Sequence, residues 1–214
     1  MGMGSAVRQR LGGLEGPAID LYRSIFINLE DFAASAASLG PARRILEIGA
    51  GDGVCGQRLT EAFPEAEYLG IDIAPGPGGM FRGDASRATF RSVSTTDLIA
   101  EGPEPFDLVV IVDVIHHVPS AARQQLLEDA AQLTAAGGTI LVKDWERDAG
   151  RLAHGLVYTA DRYVSGDRTV DFASRRELRA IIDAGLPGFS PVFEGRIPPL
   201  RGNVLYGLRR TDGS

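Results

Sequence analysis

The stretch Arg43–Gly56, which reads RRILEIGAGDGVCG, decides the fold. It opens with Arg44–Ile48, a short and mostly apolar run typical of a buried strand. The run breaks abruptly into three glycines: Gly49, Gly51 and Gly53. A helical segment, Val54–Phe63, follows at once. A strand, a glycine turn and a helix in this order form the nucleotide-binding opening of a doubly wound sheet. Glycine lets the backbone approach a ligand, and the first N–H groups of the helix bind polar ligand atoms.

Two classes of cofactor use such a turn, and Glu47 helps to separate them. Gly51–Gly56 fits the dinucleotide pattern G-x-G-x-x-G, which is weak on its own. A dinucleotide carries a pyrophosphate, which disfavours a nearby carboxylate, yet Glu47 stands two residues before the first glycine. The frame E-x-G-x-G-x-G resembles motif I of the class I S-adenosylmethionine (SAM)-dependent methyltransferases. The resemblance implies a cofactor with a positive sulfonium and ammonium, bound by Glu47, Gly49, Gly51 and Gly53.

A second strand, Glu67–Asp72, ends on an acid that suits ribose binding. Asp72 lies 16 residues after Gly56, close to where a Rossmann-type sheet places its ribose-binding carboxylate. A carboxylate accepts both ribose hydroxyls as charge-assisted hydrogen bonds. An aspartate that only starts a turn is the alternative. With Glu47 and the glycines upstream, we predict that Asp72 binds the cofactor.

The third strand is predicted over Thr89–Val93, and the residues after it concern the adenine of the cofactor. The family often has an aspartate there that faces the adenine amino group, whereas this chain has Ser94 followed by Thr95. We therefore predict that Ser94 and Thr95 contact the cofactor, with Asp97 as a second candidate.

The fourth strand, Phe106–Val112, is a nearly continuous apolar run, as expected of a buried parallel strand. The block that follows, DVIHHVP, resembles the motif after strand four in small-molecule methyltransferases of the UbiE-like type. The resemblance implies that Asp113 contacts the cofactor and that His116 or His117 is catalytic. Adjacent residues point in different directions, so at most one of the two histidines faces the cofactor mouth. The resemblance favours His116 as the residue that faces the acceptor, because related enzymes often have a catalytic or substrate-contacting histidine at the matching position. No Cys or carboxylate cluster joins the histidines at ligand spacing, so no metal is predicted.

A helix over Ser120–Ala135 and a fifth strand over Thr139–Val142 come next. Lys143 and Trp145 emerge at the carboxyl end of that strand, where open α/β sheets bind ligands. We predict that both line the acceptor pocket. A surface ion pair between Lys143 and Asp144 is the alternative.

Two flanking segments are candidates for a substrate cover. A predicted helix over residues 17–39 packs on the sheet, and its Tyr22 is a candidate substrate contact. Residues 147–173 form a longer connection than usual, which is a candidate lid. In it His154, Tyr158 and Asp161 share one helical face. A solvated polar face explains that spacing equally well.

The composition excludes some classes of partner. Of 214 residues, 22 are Lys or Arg and 28 are Asp or Glu, which gives a net charge of −6. Without a basic stretch, a nucleic-acid substrate is unlikely. The only cysteine, Cys55, forbids an intrachain disulfide, so a reducing cytoplasm is expected. No apolar run is long enough to span a membrane. The sequence does not indicate the oligomeric state.

The predicted fold class is α/β, a single domain over residues 1–214. A Rossmann-like, seven-stranded, mostly parallel sheet carries helices on both faces. A helix begins after Ser174, and the last strands, Pro191–Arg196 and Val204–Arg209, form a terminal β-hairpin. The predicted function is transfer of a methyl group from SAM to an O, N or C atom of a small molecule. The alternatives are a nicotinamide-dependent oxidoreductase, or a SAM-fold protein that acts as a cyclase or binding protein.

Overall fold

A computed structural model describes residues 28–147, 171–198 and 202–211. Seven strands form one sheet: β1 Arg44–Ile48, β2 Glu67–Asp72, β3 Ala88–Ser92, β4 Phe106–Val112, β5 Thr134–Trp145, β6 Phe189–Arg196 and β7 Asn203–Arg210. Their order across the sheet is β3-β2-β1-β4-β5-β7-β6. The strands β1 to β5 pair in parallel, while β7 runs antiparallel to both β5 and β6. The predicted mostly parallel sheet and terminal hairpin are confirmed.

Helices cover both faces of the sheet, as predicted. Five α-helices are described: α1 Leu29–Ser38, α2 Val54–Ala62, α3 Thr95–Glu101, α4 Arg123–Leu133 and α5 Arg175–Gly185. One apolar cluster joins α1 and α2 to one face, and another joins α3, α4 and α5 to the opposite face. Strand β4 lies between β1 and β5, so the order of the strands reverses beside β1. Ligands bind at the carboxyl ends of strands at such a switch point. None of the described helices has the length and apolar character needed to cross a bilayer.

The boundaries of α1 correct part of the predicted helix over residues 17–39. Asn28 caps the helix, with its side chain accepting a hydrogen bond from Asp31 N, and the helix begins at Leu29. A continuous helix through residue 28 was therefore wrong. The structure does not describe residues 17–27, which include Tyr22, nor most of the candidate lid.

The boundary between α4 and β5 also differs from prediction. The predicted helix Ser120–Ala135 is a short 3-10 turn, Ser120–Ala122, followed by α4, which ends at Leu133. Strand β5 begins at Thr134, where it pairs with Phe106, rather than at Thr139. A register shift after Phe106 accommodates the extra residues, so this start of the strand lacks a regular apolar pattern.

One described helix, α3, was not predicted. It is only seven residues long, and Ser94 caps it by accepting a hydrogen bond from Asp97 N. The pair Ser94 and Asp97 has the spacing of an N-terminal cap, which was the available signal. The first strand of the hairpin also begins earlier than predicted, at Phe189.

Candidate active site

The glycine turn after β1 contains an open position at Gly51. A Cβ atom added at Gly51 would meet only the Gly49 carbonyl oxygen, at 4.0 Å. A Cβ at Gly49 would lie 2.3 Å from Val114 Cγ2, and one at Gly53 would lie 2.8 Å from Gly78 Cα. Two of the three glycines are therefore required by packing within the protein. Only Gly51 faces space that a ligand can fill.

Asp72 holds the glycine turn by its carboxylate. Its Oδ2 accepts a hydrogen bond of 2.9 Å from Gly51 N, and its Oδ1 accepts one of 2.8 Å from Ala74 N. An ionised carboxylate has about four acceptor positions, so these two bonds leave capacity for ligand hydroxyls. The open face of Gly51 and the Asp72 carboxylate thus lie together at the carboxyl ends of β1 and β2.

Glu47 of β1 precedes this turn, and its side chain meets residues of α2 and β2. Its carboxyl is buried and accepts a hydrogen bond of 2.5 Å from the Tyr68 hydroxyl, and the Cys55 thiol is also a partner. Burial raises the pKa of Glu47 to about 7, and the bonds from Tyr68 and Cys55 offset this only in part. The structure therefore places Glu47 in a buried polar group that supports the turn.

The turn after β4 brings His116 together with Asp144. His116 lies in a 3-10 turn, Ile115–His117, and is buried. Its Nδ1 lies 2.6 Å from Asp144 Oδ1, and its backbone N–H donates to Asp144 Oδ2 at 3.3 Å. Burial alone would raise the pKa of Asp144, but the neighbouring His116 ring and Lys143 ammonium hold it below its ordinary value. An ionised Asp144 only accepts hydrogen bonds, so Nδ1 of His116 is the donor in this pair.

Lys143 pairs with Asp113, not with Asp144. Its Nζ lies 2.6 Å from both carboxylate oxygens of Asp113, and its side chain is 1% exposed. The alternative of a surface ion pair between Lys143 and Asp144 was wrong. Successive residues of a strand point to opposite faces, which was the available signal. Asp113 has a φ of 55°, the one described non-glycine residue with a positive φ.

Three of these side chains have the donor types of a metal site. One oxygen or nitrogen atom each from Asp113, His116 and Asp144 lies within 4.8 Å of the others. Both oxygens of Asp113 already accept from the Lys143 ammonium, and Asp144 already binds the His116 ring. The positive charge at this position is thus the buried ammonium, which disfavours a metal ion there.

The remaining predicted site residues make other contacts or lie outside the described residues. His117 is half-buried, and its ring centroid lies 4.2 Å from that of His116. The Ser94 hydroxyl donates to Asp97, and the Thr95 hydroxyl donates to Asp129 of α4. Trp145 is buried, and its indole nitrogen makes no hydrogen bond within the part of the chain that the structure describes. His154, Tyr158 and Asp161 lie outside the described residues.

The glycine turn and the His116 turn are neighbours. Val114, two residues before His116, fills the space beside Gly49. The glycine turn and the turn that carries His116 therefore meet through Gly49 and Val114, at the carboxyl ends of β1 and β4. The cavity outlined by Ala36, Asp107 and Arg209, of about 290 Å³, lies instead at the opposite end of the sheet.

Comparison with known proteins gives one family. Residues 46–140 match the family described as "Methyltransferase domain". Methyltransferase str3 of Strobilurus tenacellus is 32% identical over 130 residues, which are 61% of this chain and 45% of that protein. A ubiquinone biosynthesis O-methyltransferase of Xanthomonas campestris is 28% identical over 159 residues, 72% of this chain and 63% of that protein. The chain thus spans about half to three fifths of the length of these curated relatives.

A solved structure shows the same fold. The 1,6-didemethyltoxoflavin-N1-methyltransferase of Burkholderia thailandensis, solved with S-adenosylhomocysteine, has a TM-score of 0.64 and 19% identity, covering 98% of this chain and 89% of its own. The fold, the matched domain and the motif around Glu47 all point to a methyltransferase domain. Residues 46–140 thus match a methyltransferase domain, and the chain resembles the class I SAM-dependent methyltransferases in its fold and in the motif around Glu47.

Proposed function

We propose that the chain transfers a methyl group from SAM to an O–H or N–H group of a small molecule, with His116 as general base. The buried pair of His116 and Asp144 beside the open glycine turn carries this proposal. The relatives named O-methyltransferases favour a hydroxyl acceptor.

The residues around Gly51 fit the cofactor. Gly51 offers open space, Asp72 offers acceptor positions for ribose hydroxyls, and the N-terminus of α2 begins directly after the turn. When bound, SAM would supply an electrophilic methyl group on a positive sulfur, with S-adenosylhomocysteine as the leaving group once the carbon–sulfur bond breaks. Asp113, Ser94 and Thr95 stay candidate cofactor contacts.

His116 supplies the acid–base chemistry. Asp144 fixes the proton on Nδ1, so Nε2 takes the proton that leaves the acceptor as its oxygen or nitrogen forms the new bond to carbon. The ionised Asp144 then stabilises the imidazolium that results. Positioning of the two reactants supplies much of the remaining acceleration.

Lys143 and Trp145 are proposed to shape the acceptor side of the site. Lys143 does so through Asp113, because its ammonium is buried and already paired. Trp145 offers a buried N–H donor to an acceptor oxygen. We further propose a cytoplasmic location, which the single cysteine supports.

Calorimetry with S-adenosylhomocysteine and turnover of catechol with methyl-labelled SAM test the proposal. We expect binding of S-adenosylhomocysteine but not of NADH. His116→Ala should lower turnover by about 10²–10⁴-fold, the usual contribution of a general base, while cofactor affinity stays within a few-fold. His117→Ala is the matched comparison. Loss of turnover in His117→Ala alone would show that the neighbouring histidine is the base, and binding of NADH alone would refute the function.

A further inference from the structure

A buried arginine joins the two backbone segments that flank His116. Arg123, the first residue of α4, is 3% exposed. Its Nε donates to Val118 O at 2.9 Å, directly after the turn that carries His116. Its Nη2 donates to Asp171 O at 2.6 Å and to Asp171 Oδ2 at 3.1 Å. One guanidinium therefore ties the His116 turn to the segment of residues 171–173.

That segment contacts His116 in two ways. Asp171 N donates to His116 O at 2.9 Å. The next residue, Phe172, is buried, and its ring centroid lies 4.7 Å from that of His116 with an angle of 33° between the planes. Arg147 holds the segment from its other side, since Arg147 N donates to Ala173 O at 2.9 Å. The Phe172 ring is thus held against the imidazole by backbone bonds on both sides.

We propose that Arg123 is a positioning residue for His116, acting through Asp171 and Phe172. The inference rests on the proposed role of His116 as the base. Asp144 fixes one edge of the imidazole, and an edge contact alone permits the ring to tilt about it. Phe172 contacts the flat side of the ring and restricts that tilt, in addition to the His117 ring, whose centroid lies 4.2 Å from that of His116. A displacement of about 1 Å from the reactive geometry can lower a rate by about 10²-fold, so this support affects turnover.

A purely structural role for Arg123 predicts something different. Its side chain donates hydrogen bonds to two backbone carbonyl oxygens, those of Val118 and Asp171, which alone would justify the residue. In that case, replacing Arg123 lowers the free energy of unfolding but leaves the His116 ring unchanged in the folded protein. The proposal requires a change in the ring itself.

The test observes the His116 ring by NMR in the full chain labelled with ¹⁵N-histidine. His116→Ala assigns the signal among the three histidines of the sequence. We expect one sharp signal pair with the proton on Nδ1 in the natural protein. In Arg123→Gln and in Phe172→Leu, both tautomers or exchange broadening should appear. The His116 signal of Arg123→Lys should be intermediate between that of the natural protein and that of Arg123→Gln.

The matched control is Arg210→Gln. Arg210 also donates to backbone carbonyls beside α4, those of Ala131 and Thr134, but far from His116 in the fold. This variant should lose stability without changing the His116 signal. Superimposable His116 signals in the natural protein, Arg123→Gln and Phe172→Leu would overturn the proposal. Should Arg123→Gln fail to fold, Phe172→Leu and Arg123→Lys decide it.

Turnover of catechol separates this inference from the proposed function. Arg123→Gln should lower turnover by about tenfold or more, with the affinity for S-adenosylhomocysteine within about twofold. In a His116→Ala background the same change should have no further effect, since a positioning residue acts only through its target. Full turnover in His116→Ala would refute the base while leaving the NMR result to decide the positioning. An equal loss in both backgrounds would refute the positioning alone.

Discussion

Replacing Glu47 by glutamine should remove a pH dependence of stability that the buried carboxyl creates. Burial raises the pKa of Glu47 to about 7 in the folded protein, from an ordinary value of 4.5. Between these values the folded chain holds a proton that the unfolded chain has released. The contribution of Glu47 to stability is therefore fully present below pH 4.5 and is lost as the pH rises through about 7.

The size of this effect follows from the two pKa values. Each pH unit between them corresponds to about 1.4 kcal/mol, so the loss from pH 4.5 to about pH 7.5 is about 3 kcal/mol. Other groups also titrate in this range, but they are the same in the natural protein and in Glu47→Gln. The difference in the free energy of unfolding between the two proteins isolates Glu47.

Urea denaturation of both proteins without cofactor, at several pH values from about 4.5 to 7.5, measures that difference. We expect the natural protein to lose about 3 kcal/mol relative to Glu47→Gln as the pH rises. A constant difference, or one that grows in favour of the natural protein, would refute the reasoning. Tyr68→Phe provides a second check, because the hydroxyl lowers the pKa of Glu47 and its removal should move the transition to higher pH.

Three further predictions concern the site. Asp72→Ala should weaken binding of S-adenosylhomocysteine by about tenfold or more, measured by calorimetry; unchanged affinity would leave Asp72 only its loop contacts. Gly51→Val should abolish binding of S-adenosylhomocysteine. It should lower the free energy of unfolding by only about 1–2 kcal/mol, because the new side chain is strained at a positive φ. Normal binding would show that Gly51 does not face the cofactor. Lys143→Met should lower the free energy of unfolding by about 2–4 kcal/mol, because it leaves the Asp113 carboxylate without its ammonium. Urea denaturation that shows a loss below about 1 kcal/mol would contradict this reasoning.

The central strands could be predicted because burial on both faces imposes an apolar sequence. The predicted bounds of β1, β2 and β4 agree with the structure. The start of β5 could not be predicted in this way, because Ala136, Gly137 and Gly138 fall in the register shift between the pairs Phe106–Thr134 and Leu108–Thr139, which leaves no apolar period. Short α3 has only about two turns, fewer than the three or more over which a helical period becomes visible.

The parts of the candidate site that were missed depend on contacts between distant segments. His116 and Asp144 are 28 residues apart, and Glu47 and Tyr68 are 21 residues apart. Motif resemblance indicated His116 and Glu47 but carried no information about their partners. Tyr68 reaches Glu47 only because Gly56 and Gly70 leave room for its ring, since a Cβ at either would lie within 2.8 Å of the hydroxyl oxygen. The pattern of two glycines around a tyrosine is visible in the sequence only once the packing is known.

The end of β5 links the two charged pairs of the site. Lys143 and Asp144 are adjacent, so they point to opposite faces of the sheet, and each meets a residue that follows β4: Asp113 and His116. The Lys143 ammonium also helps to hold the pKa of Asp144 below its ordinary value. Lys143 therefore has two effects, since it compensates the Asp113 carboxylate and helps to keep Asp144 ionised. Because an ionised Asp144 keeps the proton on Nδ1 of His116, the residue that stabilises the strand end also favours the basic form of Nε2.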